Sequence, residues 1–228
     1  MQKLLFLNCF LFCLAINVFC LTNVCAENTS NNCAGDQHVH RENKNCIYDI
    51  SYPVLSNKKS ECVVRKWIDK EASDYQDWGD LDPEMGRKNE FWITCETFNS
   101  KTTESVVIQE YQYDQGANGS TVVKSFTFDV KSGKEYKLFD VLDSNKDWFG
   151  ALLPFINKYM NSNTQVIITR ENATSDIFKS AAIDGEDLVI YFDQETVGPH
   201  SSGVVKIRFP MKSLKGVLKV PFSAYQYK

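Results

Sequence analysis

The stretch SVVIQEYQYDQGANGSTVVKSFTFDV, residues 105–130, decides the fold class of this chain. Apolar and polar residues alternate on both sides of a glycine-containing centre, and a period of two is typical of β-strands. Gly116 and Gly119 lie between the two runs, where glycine relieves the backbone strain of a turn. The stretch therefore predicts two antiparallel strands joined by a turn.

The same glycines raise the alternative of a phosphate-binding loop. Such a loop needs a helix directly after it, because the amides and the dipole of the helix N-terminus hold the anion. The residues from Thr121 onward continue the strand pattern instead, and the chain contains neither GxxxxGK[ST] nor GxGxxG. We therefore predict no nucleotide and no other cofactor.

Strand and helix patterns alternate along the rest of the chain. Further strands are predicted over residues 46–52, 90–98 and 204–209, and the Asp184-Gly185 pair between two apolar runs predicts a hairpin. A helix of about 18 residues is predicted from Asn57, since apolar residues recur there at every third or fourth position.

Two more helices are predicted towards the C-terminus. Residues 144–147 resemble a capping box and open a helix in which Pro154 predicts a kink or a break. Residues 211–218 predict a short last helix. The chain is therefore expected to be α+β, with an antiparallel sheet or sheets and two or three packed helices.

The N-terminus has the pattern of a secretory signal peptide. Lys3 precedes an apolar run from Leu4 to Leu21, and small residues around Ala26 provide a cleavage site. We expect residues 1–26 to be removed and the mature protein to be periplasmic or secreted. The apolar run is also long enough for an uncleaved membrane anchor, and this alternative stays open.

The mature part divides into an arm and one domain. Residues 27–45 are polar and aperiodic, which predicts a flexible arm. Residues 46–220 are expected to form a single domain with an N-terminal half at 46–103 and a C-terminal half at 104–220.

Four cysteines follow the predicted cleavage site, namely Cys33, Cys46, Cys62 and Cys95. An even number in an exported protein predicts two disulfides, for which three pairings are possible. A zinc site is the competing interpretation, but no two of the four have zinc-site spacing, so we predict no metal. Because Cys62 falls in a helix pattern and Cys95 in a strand pattern, we prefer Cys62–Cys95 together with Cys33–Cys46.

Charge and histidine content limit the function. The chain carries 25 Lys and Arg against 29 Asp and Glu, which argues against nucleic acid as a partner. His38 and His40 lie in the predicted arm, where an alternating pair is at most a loose metal ligand. His200 lies beside serines that lack the setting of an activated nucleophile. We therefore predict no catalytic residue and no enzyme.

Tryptophan is the most informative residue type for ligand binding. Trp67, Trp92 and Trp148 fall on the periods that we assign to the core, whereas Trp78 is near a predicted loop. Trp78 is therefore the tryptophan that we expect to be free to stack on a sugar.

Two stretches resemble the signatures of one family. They are YQYDQGANGSTVVKSFTFDVKSGKEYKLFDVL, residues 111–142, and DLVIYFDQETVGPHSSGVVKIRFPMKSLKGVL, residues 187–218. YDISYPVL, residues 48–55, is similar to the start of the region that precedes them in the family. The family is an exported bacterial domain of uncharacterised function. It includes the extracellular, lysozyme-binding region of the anti-sigma factor RsiV, and it accompanies the catalytic domain of some peptidoglycan deacetylases.

The resemblance implies that two loops bind the partner. The residues concerned are Gly116, Asn118 and Gly119 in the first loop, and Glu195, Val197, Pro199, His200 and Gly203 in the second. The chain departs from the family pattern at Asn118, which replaces a histidine, and at Glu195 and His200, which replace tyrosines. The resemblance thus implies a non-catalytic periplasmic or secreted binding domain that recognises lysozyme or another cell-envelope protein. The alternative is an envelope module that binds peptidoglycan or another glycan.

Overall fold

The structure, a computed structural model, describes residues 35, 37–79, 86–114, 116–214 and 216–227, without the side chains of 76–79 and 225–227. The predicted signal peptide, Cys33 and the Trp78 side chain lie outside the described residues. None of the helices in these ranges combines the length and the hydropathy of a membrane span.

The described residues contain two sheets and three α-helices. The larger sheet has six strands in chain order: β1 (His38–Glu42), β2 (Cys46–Ser51), β3 (Asn89–Asn99), β4 (Thr103–Tyr113), β5 (Ser120–Asp129) and β6 (Glu135–Tyr136). The smaller sheet consists of β7 (Ser180–Asp184), β8 (Asp187–Phe192) and β9 (Val205–Pro210). The helices are α1 (Lys58–Gly79), α2 (Leu138–Val141) and α3 (Trp148–Ser162).

All neighbouring strands are antiparallel except β2 and β3, which are parallel. A parallel pair needs a crossover connection, and α1 lies in it. The predicted α+β class is therefore confirmed. The predicted boundary between the two halves at 103/104 falls at the first residue of β4, and the division into halves stays a prediction.

α1 covers one face of the larger sheet, which we call the helix face. Val64, Ile68 and Tyr75 of α1 are buried, and the ring of Tyr75 stacks on Phe91 of β3 at 4.6 Å between centroids. Asn57 caps the start of the helix, because its side-chain oxygen accepts from the amide of Lys59 at 3.0 Å. The amphipathic pattern from Asn57 is therefore a helix, as predicted.

The opposite face of the larger sheet, which we call the open face, contacts the smaller sheet along β4 and β5. Strand β7 is an edge strand, so its outward backbone groups need partners. Ser105 Oγ accepts from the amide of Ile183 at 2.9 Å, and Ser125 Oγ donates to the carbonyl of Ala181 at 2.9 Å. In return, Ser180 Oγ donates to the carbonyl of Val123 at 2.7 Å. Small hydroxyl side chains therefore join the two sheets.

The second core lies between the smaller sheet and α3. Asp147, the last residue of the predicted capping segment, is the N-cap and accepts from the amide of Gly150 at 3.0 Å. Of the kink or break predicted at Pro154, the break does not occur, since α3 continues through the proline to Ser162, and the kink stays a prediction. Leu152 and Ile156 are both fully buried, so packing on both sides of the proline offsets the lost backbone hydrogen bond.

Two predictions about the chain ends are wrong. The predicted flexible arm contains β1, which pairs with β2 from His38 opposite Ser51 to Glu42 opposite Ile47. The segment lacks the apolar alternation of a strand, because β1 is an edge strand whose side chains are mostly exposed. The predicted helix at 211–218 is only a 3-10 turn over Met211–Ser213.

The preferred disulfide pairing is also wrong. Cys46 and Cys95 carry thiols, whereas Cys62 is disulfide-bonded to a partner outside the described residues. Cys62 is two positions, or about 200° around a helix, from the buried Val64, so it points away from the sheet. Cys95 lies on the helix face and donates to the carbonyl of Ser51 at 3.2 Å. The sequence pattern assigns each cysteine to a helix or a strand, but it does not show which side of α1 packs on the sheet.

We expect Ser105→Ala to destabilise the protein by about 1 to 3 kcal/mol, because the buried amide of Ile183 loses its acceptor. Urea unfolding followed by tryptophan fluorescence measures this change. The exposed Ser213→Ala is the matched control and should change stability by less than about 0.5 kcal/mol. Equal effects from the two substitutions would contradict the role of Ser105 at the β7 edge.

The two thiols should be unreactive in the folded protein. Burial raises the pKa of the Cys95 thiol to about 12, and Cys46 is fully buried, so neither provides an accessible thiolate at pH 8. Alkylation without reductant, followed by peptide mapping, should label Cys46 and Cys95 only after unfolding and Cys62 under neither condition. Labelling of Cys62 in place of Cys95 would refute this assignment.

Candidate binding surface

The open face is only partly covered by the smaller sheet. Over β4 and β5, its residues Val107 and Val123 are buried against Val189 of β8. Towards β1, β2 and β3, the same face carries the exposed residues Thr94 and Gln109. The uncovered part is therefore a surface made of strands, and it is where the largest exposed aromatic side chain in the described residues lies.

That side chain is Trp92, which is 42% exposed. Trp92 lies directly opposite Tyr111 in the β3–β4 register, and their ring centroids are 5.1 Å apart. The prediction that Trp92 belongs to the core is therefore wrong. The strand FWITC places Phe91 and Ile93 on the helix face, so the residue between them must point to the other face.

The first predicted loop packs directly on this aromatic pair. A Cβ atom added at Gly119 would lie 2.4 Å from ring atoms of Tyr111, so any larger residue there requires the ring to shift. The same atom at Gly116 would meet nothing closer than 3.6 Å. The glycine that the resemblance singled out therefore lets the loop 116–120 lie against the Tyr111 ring.

The second predicted loop is fastened beside the first. The side chain of Gln194 accepts from the amide of Thr121 at 3.0 Å, and the amide of Gln194 donates to the carbonyl of Thr121 at 3.2 Å. Asp193 accepts from the amide of Val123 at 2.6 Å. Since Thr121 pairs with Tyr111, the two loops and the aromatic pair form one continuous region, the aromatic-loop surface.

The predicted residues of the second loop have different settings. Glu195 is exposed and has a positive φ of 65°, and its carboxylate is 3.5 Å from Nδ1 of His200. Gln194 Nε2 donates to the carbonyl of His200 at 2.9 Å, which holds the loop closed. Pro199 is exposed and Gly203 has a φ of 59°.

Val197 is the exception in this loop, because it is buried in the core against the smaller sheet. Its carbonyl accepts from the amide of Ile167 at 2.7 Å. Val197 therefore anchors the loop, while Glu195, Pro199 and His200 are accessible. In the first loop, Gly116 and Asn118 are likewise exposed.

An open pocket adjoins the aromatic pair on the side of β2. It has a volume of about 380 Å³ and is lined by Ile47, Arg87, Lys88, Glu90, Tyr111 and Tyr113. Arg87 Nη1 donates to the hydroxyl of Tyr113 at 3.4 Å, and Lys88 forms an ion pair with Glu42 at 2.5 Å. Arg87 carries no sequence signal, because a pair of basic residues before a strand is common on protein surfaces.

The two histidines of β1 meet one carboxylate at the far edge of the open face. His38 Nε2 donates to Asp49 Oδ1 at 2.8 Å, and His40 Nδ1 donates to Asp49 Oδ2 at 3.0 Å. These hydrogen bonds lower the pKa of Asp49. Within the described part of the chain, no group of three or more ligands is arranged to hold a metal ion.

Comparison with solved structures shows which fold this is. The chain is similar to a DUF3298 family protein from Pseudomonas aeruginosa PAO1, with a TM-score of 0.60 at 10% identity. The match covers 81% of this chain and 94% of that protein. A DUF3298 family member from Bacteroides fragilis NCTC 9343 matches over 83% of this chain and 95% of its own, with a TM-score of 0.58 at 15% identity. The chain has a DUF3298-like fold.

Sequence comparison adds one curated relative. Peptidoglycan-N-acetylmuramic acid deacetylase PdaC from Bacillus subtilis (strain 168) is 25% identical over 187 residues, which is 78% of this chain. The matched part is 40% of the length of that enzyme, so the chain spans about two fifths of this relative. No family model matches the chain.

We expect Gly119→Ala to displace the Tyr111 ring, since the added Cβ cannot be accommodated at 2.4 Å, and to destabilise the protein by about 1 to 3 kcal/mol. Because the Tyr111 ring lies beside Trp92, its displacement should also change how strongly iodide quenches the fluorescence of Trp92. Gly116→Ala is the matched control and should leave both stability and quenching close to wild type. An unchanged Gly119→Ala variant would show that the loop does not pack on Tyr111.

Proposed function

We propose that this chain is a non-catalytic binding domain of the cell envelope, and that its aromatic-loop surface binds the glycan strands of peptidoglycan. The observation that carries the proposal is the exposure of Trp92 beside Tyr111. The glycan alternative of the sequence analysis thus becomes the leading candidate, although Trp92 takes the place of Trp78 as the stacking residue.

The chemistry of the surface supports a sugar ligand. A sugar ring presents C–H groups on its faces and hydroxyl groups at its rim, so an aromatic side chain with polar neighbours suits it. Thr94 and Gln109 are exposed next to the aromatic pair, and they supply hydroxyl and amide groups for hydrogen bonds. His40 and Asp49 continue this polar rim across β2 and β1.

The relative supports the location and the ligand class. PdaC is named as a peptidoglycan deacetylase, and a protein that shares a segment with it is expected to work in the same compartment. The secretory pattern of residues 1–26 agrees with an envelope or secreted location. His200 and Glu195 lie on an exposed loop rather than in an enclosed cavity, which favours binding over acid-base catalysis.

Co-sedimentation with purified peptidoglycan tests the proposal. Trp92→Ala should weaken binding by about thirtyfold or more, because stacking residues at the centre of a binding surface contribute about 2 kcal/mol or more. Val122 is the matched control, since it is also 42% exposed but projects from the helix face. Equal retention of wild type, Trp92→Ala and Val122→Ala would refute the proposed surface.

A protein ligand is the second candidate, and the joining of the two loops favours it. Gln194 connects the loop 193–203 to Thr121 at the start of β5, and this loop carries the exposed Glu195 and Pro199 and the half-buried His200. Tyr and Trp are also frequent anchors in protein interfaces. Lysozyme is the probe that the family resemblance supplies.

Lysozyme capture separates the two candidates. In the peptidoglycan proposal, immobilised lysozyme does not retain the protein, and Trp92→Ala lowers co-sedimentation with peptidoglycan. Retention of wild type by lysozyme that is lost in both His200→Ala and Trp92→Ala would favour the protein ligand instead.

A further inference from the structure

The pocket beside the aromatic pair contains a cation with spare hydrogen-bonding capacity. A guanidinium has five N–H donors in a planar fork. In the described residues, the polar contact of the Arg87 side chain is the neutral hydroxyl of Tyr113 at 3.4 Å. Lys88, by contrast, is already paired with the carboxylate of Glu42. Arg87 can therefore still bind a carboxylate through two parallel hydrogen bonds.

Tyr111 connects this pocket with the stacking surface. Its ring contacts Trp92 on one side and lines the pocket on the other. Glu90, which also lines the pocket, is two residues before Trp92 on the same face of β3. Two residues along a strand span about 7 Å, a distance comparable with one sugar unit. A saccharide stacked on Trp92 thus brings a substituent of the same or the next sugar to the pocket.

From this arrangement we infer that the pocket of Arg87, Tyr111 and Tyr113 binds a carboxylate carried by, or attached beside, a muramic acid unit. The inference rests on the proposed binding of glycan strands and names which sugar of the strand is selected. Muramic acid differs from N-acetylglucosamine by a lactyl ether that ends in a carboxyl group. That group is either free or joined to a stem peptide, which has carboxylates of its own.

Two opposite charges, those of Arg87 and Glu90, lie at this pocket. Glu90 faces the same pocket, and it repels a bound carboxylate while Arg87 attracts it. Removing the positive charge and removing the negative charge should therefore change the affinity for an acidic saccharide in opposite directions. A neutral saccharide that only stacks on Trp92 should respond to neither change.

The experiment measures binding to three matched ligands by calorimetry. They are chito-oligosaccharide, which has no carboxylate, peptide-free glycan strands of similar length, which have the free lactyl carboxylate, and strands that keep their stem peptides. Wild type should bind the strands with a carboxylate more tightly than the chito-oligosaccharide. Arg87→Gln should lower the affinity for the strands with a carboxylate by about threefold to tenfold, and Glu90→Gln should raise it. Neither substitution should change the affinity for chito-oligosaccharide.

The ligand arms identify the source of the carboxylate. A preference for peptide-free strands that Arg87→Gln abolishes assigns the pocket to the lactyl group. A preference for peptide-bearing strands alone that Arg87→Gln abolishes assigns it to the stem peptide. If both substitutions leave the preference unchanged while Trp92→Ala still lowers binding to every ligand, the pocket inference is overturned and the proposed function stands. If wild type binds none of the three ligands, the proposed function itself fails.

Discussion

The outer edge of β7 is the constraint on which the arrangement of the two sheets depends. Its backbone amide at Ile183 is buried and its carbonyl at Ala181 is partly buried, and each would be costly without a partner. Ser105 and Ser125 supply these partners from the middle of the larger sheet, so the hydroxyl groups of β4 and β5 fix the position of β7 on that sheet. Val107 on the same face then packs against the smaller sheet beside them.

This placement has two consequences for the surface. It brings the loop after β8 next to the start of β5, where Asp193 and Gln194 bind the amides of Val123 and Thr121. It also leaves the other half of the open face uncovered, so that Trp92 stays accessible. The aromatic-loop surface is thus the part of the face that the smaller sheet does not reach, together with the loops that the contact brings to its border.

Local patterns predicted most elements because their physical causes are local. Alternation along β3, β4 and β5 and the capped amphipathic α1 are properties of short segments, and all four formed where expected. Predictions failed where a distant contact decided the outcome. Pairing with β2 makes an edge strand of the polar segment at β1. The orientation of Cys62 depends on which side of α1 meets the sheet.

The sequence by itself determined that this is an α+β chain, and that Phe91 and Trp92 point to opposite faces of one strand, because successive side chains of a strand alternate. It also determined that Gly119 stands at a turn. The tertiary structure alone decided that Trp92 is exposed while Phe98 on the same face of β3 is buried, because the smaller sheet covers only the end of β3 that carries Phe98. It likewise decided that Gly119 packs on Tyr111 and that Arg87 adjoins the same ring, since such contacts join residues that no local pattern relates.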